Sequence, residues 1–314
     1  MRKALMILSL CLCLSCAERD NYMAFTGYAQ GGTYTVKANL KGVRAGEEEI
    51  AQHIDSLLNA IDFSVSGYNR KSILSRRNAG EDVEPDGLFN MINALSEQYR
   101  KETDGAFDVC AGPLFDLWGF GFSSGGVPTQ AQIDSAMALC SAKKILNFNA
   151  IAQGFSCDVI ASYLHSIGVS DMLVDIGEIY CEGLNPSGKG WSIGVDNPVD
   201  GNNSPGADLR AIWSSEGRAC GVVTSGNYRK FYIKDGRKYS HTIDPRTGAP
   251  VDHDLLSATI VAPTAAQADA YATACMVMGM EKAREFISGH EGIEGFLIGS
   301  ESTWTSPGFC LRMP

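Results

Sequence analysis

Stretches with helical spacing of apolar residues alternate along this chain with strand-like stretches and tight-turn signals, and that interleaving constrains the fold most. Residues 47–62 place Ile50, Ile54, Leu57, Leu58 and Ile61 at helical spacing, and residues 86–103 do the same with Leu88, Ile92, Leu95 and Tyr99. Residues 129–145, with Thr129 as N-cap, and 155–168 predict two more helices. A final long helix is predicted over 264–288, from Thr264 to Gly289. Residues 26–40 alternate like a strand around a Gly31-Gly32 interruption. MLVDI (172–176), WSIGVD (191–196), ACGVVTS (219–225), LSATIVA (256–262) and EGFLIGS (294–300) read as further strands. RKFYIK and RKYSHTID flank Asp235-Gly236, a hairpin-turn signal. Helices mixed with antiparallel hairpins predict an α+β fold. No internal repeat, low-complexity segment or linker divides it.

Residues 1–16, MRKALMILSLCLCLSC, carry Arg2 and Lys3 ahead of a short apolar run. This predicts a secretory leader, too short to span a bilayer as a stable helix. Ser15 before Cys16 resembles the lipobox of bacterial lipoproteins, which implies acylation of Cys16 as the mature first residue. Residues 17–25 read as a tether, and 26–314 as one catalytic-sized domain. Beyond the leader seven cysteines remain, odd in number and scattered. They read as small buried hydrophobes rather than a disulfide framework.

The net charge is −10, from 26 basic and 36 acidic residues. Bulk charge therefore argues against nucleic acid and polyphosphates, and an anionic ligand needs a metal, an Arg or backbone amides. Four segments carry polar residues that packing does not explain. Thr103-Asp104-Gly105-Ala106-Phe107-Asp108 sets Asp108 beside Phe107, a pair suited to a ribose and a ring. Asn147-Phe148-Asn149-Ala150 precedes a helix N-terminus, where free amides bind anions or plain capping occurs. Thr224-Ser225-Gly226-Asn227 is followed by His241-Thr242-Ile243-Asp244-Pro245-Arg246. There Arg246 suits phosphate oxygens and His241 suits proton transfer, unless the segment is simply a turn. Asp269 and Thr273, at i and i+4 among alanines, share one helix face. They are hard oxygen ligands for Mg²⁺ or Ca²⁺, or Thr273 bonds back to the Asp269 carbonyl. The GFGFSSGG run (119–126) has no strand–helix context and is not a dinucleotide fingerprint.

Together these segments resemble the ApbE family, the FAD:protein FMN transferases. The resemblance runs in order through AQGGTYTVK (29–37), SGYNRKSILSRRN (66–78), TDGAFDVCAGPLFDLWGFG (103–121) and NFNAIAQGFSCD (147–158). It continues through VDIGEI (174–179), TSGNY (224–228), SHTIDPRTGAPV (240–251) and ADAYATACMVMG (268–279). It implies FAD in a cleft between two lobes of a compact α+β domain. Tyr68, Ala106, Phe107, Asp108 and Ile243 match FAD contacts. Asn147 stands where the family often has Asp, and Gln153 where it has Lys or Glu. Asp269 and Thr273 match metal ligands, joined by the carbonyl of Ala150. Gln30 replaces a family Met, Ala272 a third acidic ligand of some members, and a double glycine is shortened to Gly177-Glu178.

The reaction implied moves FMN from FAD to a Thr or Ser hydroxyl of a target protein, releasing AMP, with one or two Mg²⁺ ions. His241 is expected to accept the hydroxyl proton, Asp244 to orient it, and Arg246 to steady the loop or the phosphates. The alternatives are a metal-dependent FAD pyrophosphatase and a flavin-binding lipoprotein without catalysis. The family also implies a membrane redox subunit as acceptor, and a lipid-anchored position on the periplasmic side of a bacterial envelope.

Overall fold

The computed structural model describes residues 21–121, 126–142, 145–199, 201–202, 204–228, 231–234 and 236–314. Cys16 and residues 17–20 of the expected tether lie outside them. The chain opens with strands β1 (Tyr22–Ala29) and β2 (Gly32–Asn39), so Tyr22 to Phe25, expected to be tether, are already paired. Helices α1 (Glu47–Val65), α2 (Ile73–Asn78), α3 (Gly87–Glu102), α4 (Gly112–Leu117), α5 (Gln130–Ser141) and α6 (Ala152–Ser166) follow. Then come β3 (Met172–Asp175), β4 (Ile179–Glu182), β5 (Ser192–Asp196), β6 (Leu209–Ser214), β7 (Cys220–Gly226), β8 (Phe231–Lys234) and β9 (Arg237–Ser240). The chain continues with β10 (Ile243–Asp244), β11 (Ala249–Pro250), β12 (Leu255–Ala262), α7 (Ala265–Met278) and α8 (Met280–Gly289). It ends with β13 (Glu294–Gly299), β14 (Thr303–Thr305) and β15 (Leu311–Arg312).

The α+β expectation holds. An eight-stranded sheet of order β1-β2-β3-β4-β7-β12-β13-β14 organises the molecule, with antiparallel pairing throughout. Its strands alternate between two cores, as the pleat requires. Val223, Ala258 and Ile260 join α3, α6 and α7 on one face; Val222, Val261 and Phe296 join the small β15-β6-β5 sheet on the other. A smaller core formed by Ala111, Leu114, Trp118, Ile133, Ala136 and Ile243 builds a second lobe around α4, α5 and the short β10–β11 ladder.

Two expectations are corrected by the structure. The segment 26–40 is a hairpin, not one interrupted strand. Gln30 (φ 51°) and Gly31 (φ 82°) form its two-residue turn between Ala29 and Gly32. Two successive left-handed residues match the strand twist in such hairpins. The long helix 264–288 is two helices, broken at Gly279, where φ is 78°. The expected turn at Asp235-Gly236 connects paired β8 and β9, with Asp235 itself outside the described residues.

α7 is buried all round, including Asp269 at 5 % exposure. A helix without a polar face belongs in the interior, and its alanines let neighbouring backbones approach. Gly154 of α6 and Gly221 of β7 complete that fit. A Cβ on either would lie 2.3 Å from Ala265, on its carbonyl oxygen in one case and its Cα in the other.

Candidate active site

The N-termini of α6 and α7 hold each other. Asp158 of α6 accepts hydrogen bonds from the backbone N–H groups of Ala265 and Ala266, both at 2.8 Å. Asp269 of α7 accepts one from the N–H of Gly154, at 3.1 Å. Each carboxylate thus meets the unpaired amides and the positive dipole end of the other helix. Burial works in the opposite direction, disfavouring the charged forms. It pushes Asp158 up to about 6 despite its two amide bonds. It pushes Asp269 up to about 7, with the Gly154 bond opposing and the Asp158 charge adding to the rise.

Asp269 opens onto a cavity of about 390 Å³. Its wall includes Tyr68, Ala106, Phe107, Asp108, Asn147, Ala150, Gln153, His241, Ile243 and Thr273, drawn from both lobes. These residues come from loops, element ends and the middle of α7, far apart in sequence, so the fold gathers what the motifs scattered. Asp108 is fixed by the Arg100 guanidinium at 3.0 Å and by the Cys110 N–H at 2.9 Å. Asn147 accepts from the Asn149 N–H at 2.9 Å, keeping the acceptor role that an Asp would serve. His241 stands edge-on to Phe120, with ring centres 6.3 Å apart.

Beside this cavity runs a larger hollow of about 1150 Å³, between the β1–β2 turn and α1. Tyr68, Asn149 and Gln153 line both. Tyr68 is 73 % exposed, an aromatic face open to solvent. Its hydroxyl accepts a bond from the Asn149 amide at 3.3 Å.

Asp244 and Arg246 do not line the cavity. Arg246 donates to both oxygens of Asp244, through Nε at 2.9 Å and Nη2 at 2.8 Å, and Asp244 also takes the Arg246 N–H. This bidentate pair closes the β10–β11 turn on itself. It leaves the Asp244 carboxylate committed to Arg246 rather than to His241.

Three participants escape a reading of the sequence. Glu178 lines the cavity, and its pKa is raised well above the carboxylate range by burial and by the charges of Asp269 and Asp175, against the pull of the Thr224 N–H. Its signal is present in VDIGEI, but only the fold brings the turn before β4 to the same cavity as Asp269. Gln30 lines the larger hollow, its amide donating to the Ser156 hydroxyl. Gly177 (φ 92°) gives Gln153 its place, since a Cβ there would sit 2.4 Å from the Gln153 amide nitrogen.

The donor set is hard: the Asp269 carboxylate and the Thr273 hydroxyl on one helix, Ala150 at the same cavity, and Glu178 nearby. Among the described residues no three His, Cys, Asp or Glu side chains cluster as a metal site. A mixed carboxylate–hydroxyl–carbonyl set fits Mg²⁺ or Ca²⁺ and does not fit a soft metal. Asp269 is buried and Glu178 half-buried at the same cavity, and carboxylates sharing such a site gain from a cation.

Residues 31–297 match the ApbE family. The chain belongs to that family. A relative from Escherichia coli K12, an FAD:protein FMN transferase, is 32 % identical over 304 residues, covering 87 % of this chain and 84 % of its own. One of the same name from Salmonella typhimurium is 33 % identical, covering 83 % and 81 %. Among solved structures, the flavin transferase ApbE of Vibrio cholerae superposes with a TM-score of 0.79 at 29 % identity, covering 92 % of this chain and 98 % of its own. The apo flavinyl transferase ApbE of Pseudomonas stutzeri gives 0.79 at 33 %, covering 91 % and 94 %. The ApbE resemblance read from eight motifs therefore stands, and the fold is that of the family.

Proposed function

We propose that this chain transfers FMN from FAD to a Thr or Ser hydroxyl of an acceptor protein and releases AMP. The observation that carries the reading is the convergence of Asp269, Thr273, His241 and the matched flavin contacts on one cavity. The adjoining hollow extends it enough for a dinucleotide. Tyr68, Ala106, Phe107, Asp108, Asn147, Gln153 and Ile243 hold FAD. Asp269, Thr273 and the Ala150 carbonyl would hold Mg²⁺, which would supply charge neutralisation for the diphosphate. His241 takes the proton of the incoming hydroxyl. The Asp244 and Arg246 pair fixes the turn that carries Ile243 and so places His241 indirectly.

The leader supports export, with lipid on Cys16 holding the enzyme on the periplasmic side of an envelope membrane. The acceptor is then a membrane redox subunit. Among the described residues no helix is long and apolar enough to cross a membrane.

The test is a mass measurement. FAD, Mg²⁺ and a Thr-containing flavin acceptor domain are incubated with the chain. The acceptor is expected to gain one FMN with AMP released, and the gain to vanish in Asp269→Ala. AMP and free FMN without acceptor gain would mean a pyrophosphatase or a wrong acceptor. FAD binding with neither product would mean a carrier.

A further inference from the structure

Cys181 and Cys220 lie directly opposite each other on β4 and β7. Their sulfurs are 4.0 Å apart, and both side chains are buried among Trp191, Trp213, Phe296 and Phe309. Neither cysteine is in a disulfide. Antiparallel partners have Cα separations of roughly 4.5 to 5.5 Å, inside the roughly 4.4 to 6.8 Å that a disulfide spans. Rotation about the two Cα–Cβ bonds is then enough to close the gap between the sulfurs, with no backbone movement.

We propose that Cys181 and Cys220 are an oxidisable pair that closes into a cross-strand disulfide by exchange with a small-molecule or protein disulfide. Cys220 attacks first. It is the opening residue of β7, two residues beyond Arg218, and it retains 5 % exposure where Cys181 has none. The Cys181 thiol hydrogen-bonds its sulfur and Arg218 adds positive charge, so the Cys220 pKa is lowered, against burial and the nearby Glu294. The same interaction and burial raise Cys181. In the first step the Cys220 thiolate bonds to one sulfur of the oxidant RSSR and expels RS⁻. In the second, Cys181 loses its proton, attacks the Cys220 sulfur and expels the second RS⁻. Two thiols and one RSSR become one protein disulfide and two RSH, with the two thiol protons ending on RSH.

The consequence reaches the active site along one seam. At the cavity end the seam is flanked by Glu178, just before β4, and Thr224 of β7, which both line the cavity. The cysteines lie three and four residues further along the two strands, about 10 Å away at strand rise. A disulfide there locks the register that presents Glu178. The inference stands on strand geometry and is independent of the transferase reading. The envelope placement supplies disulfide oxidants but is not needed for the test.

The full chain, purified in detergent and reduced, is incubated with oxidised glutathione. It is then acid-quenched, alkylated, digested and mapped by mass. The expected product is a dithiothreitol-sensitive link between the peptides bearing Cys181 and Cys220, with a chain lighter by two hydrogens. The wild-type unfolding midpoint is expected to rise on oxidation and return on reduction. In Cys181→Ala the link is absent, and Cys220 carries a glutathione adduct instead. Both thiols still alkylated after oxidation, or either linked to a different cysteine, would overturn the proposal. A link that leaves the midpoint unmoved would overturn the register lock. The wild-type peptide map supports or overturns the pairing even if the variant does not fold.

Discussion

At Asp269 catalysis and stability pull apart. Burial disfavours its charge, so Asp269→Asn removes that penalty while the Asn carbonyl still accepts from Gly154. The variant is expected to lose at least about 100-fold in flavin transfer. Its unfolding midpoint in chelator is expected to equal or exceed wild type. A midpoint several degrees lower would make the carboxylate structural. His241→Ala is expected to slow transfer by roughly 10²- to 10⁴-fold and to flatten its pH dependence. A wild-type rate from pH 6 to 8 would remove the proton-acceptor role. Residue identity alone suggests phosphate binding for Arg246, but a carboxylate two positions away meets its fork in the folded turn. Partner choice of this kind depends on turn geometry, which composition does not reveal.

Among the elements, the α6–α7 crossing governs the site. Gly154→Ala puts a Cβ against the Ala265 carbonyl and forces the helices apart. Overpacking of this kind costs about 1–3 kcal/mol. Chemical denaturation should read that loss, together with a lower flavin-transfer rate as Asp269 shifts. Asp158 gives the crossing a pH dependence. Its folded pKa of about 6 lies above its reference value of 3.8, so its contribution is complete below that value and is lost as pH rises through 6. The swing is roughly 3 kcal/mol. Asp158→Asn cannot ionise, so the wild-type advantage over it is expected to shrink between pH 4 and 7 in urea unfolding. An advantage that grows with pH would contradict this. α7 is legible in the sequence as helical, but its end is not. Being buried all round, it has no stripe whose loss would mark Gly279 as the break. The β1–β2 turn is hidden for a related reason, since Gln30 is not a residue expected at positive φ.

For the whole molecule, the site is a junction between two lobes, and ligand binding should couple them. FAD with Mg²⁺ is expected to raise the unfolding midpoint beyond FAD alone. At 100-fold excess over Kd, binding adds about 2.7 kcal/mol, which is several degrees for a chain of this size. The Mg²⁺-dependent increment is expected to disappear in Asp269→Asn. An equal increment in that variant would place the metal elsewhere.

From the sequence alone come the α+β class, the family, and eleven of the residues that line the cavity, because apolar periodicity and short motifs are local properties that survive without a fold. Asp269 and Thr273 are readable as a pair because one helical turn sets their spacing. Glu178 beside Asp269, Gln30 on the second hollow and Gly177 yielding to Gln153 require tertiary structure. So do the facing thiols of Cys181 and Cys220, which the sequence presents merely as two of seven scattered cysteines. Each of these contacts joins residues far apart in the chain. Strand order and register decide such contacts, and they follow from how the whole core packs rather than from any window of residues.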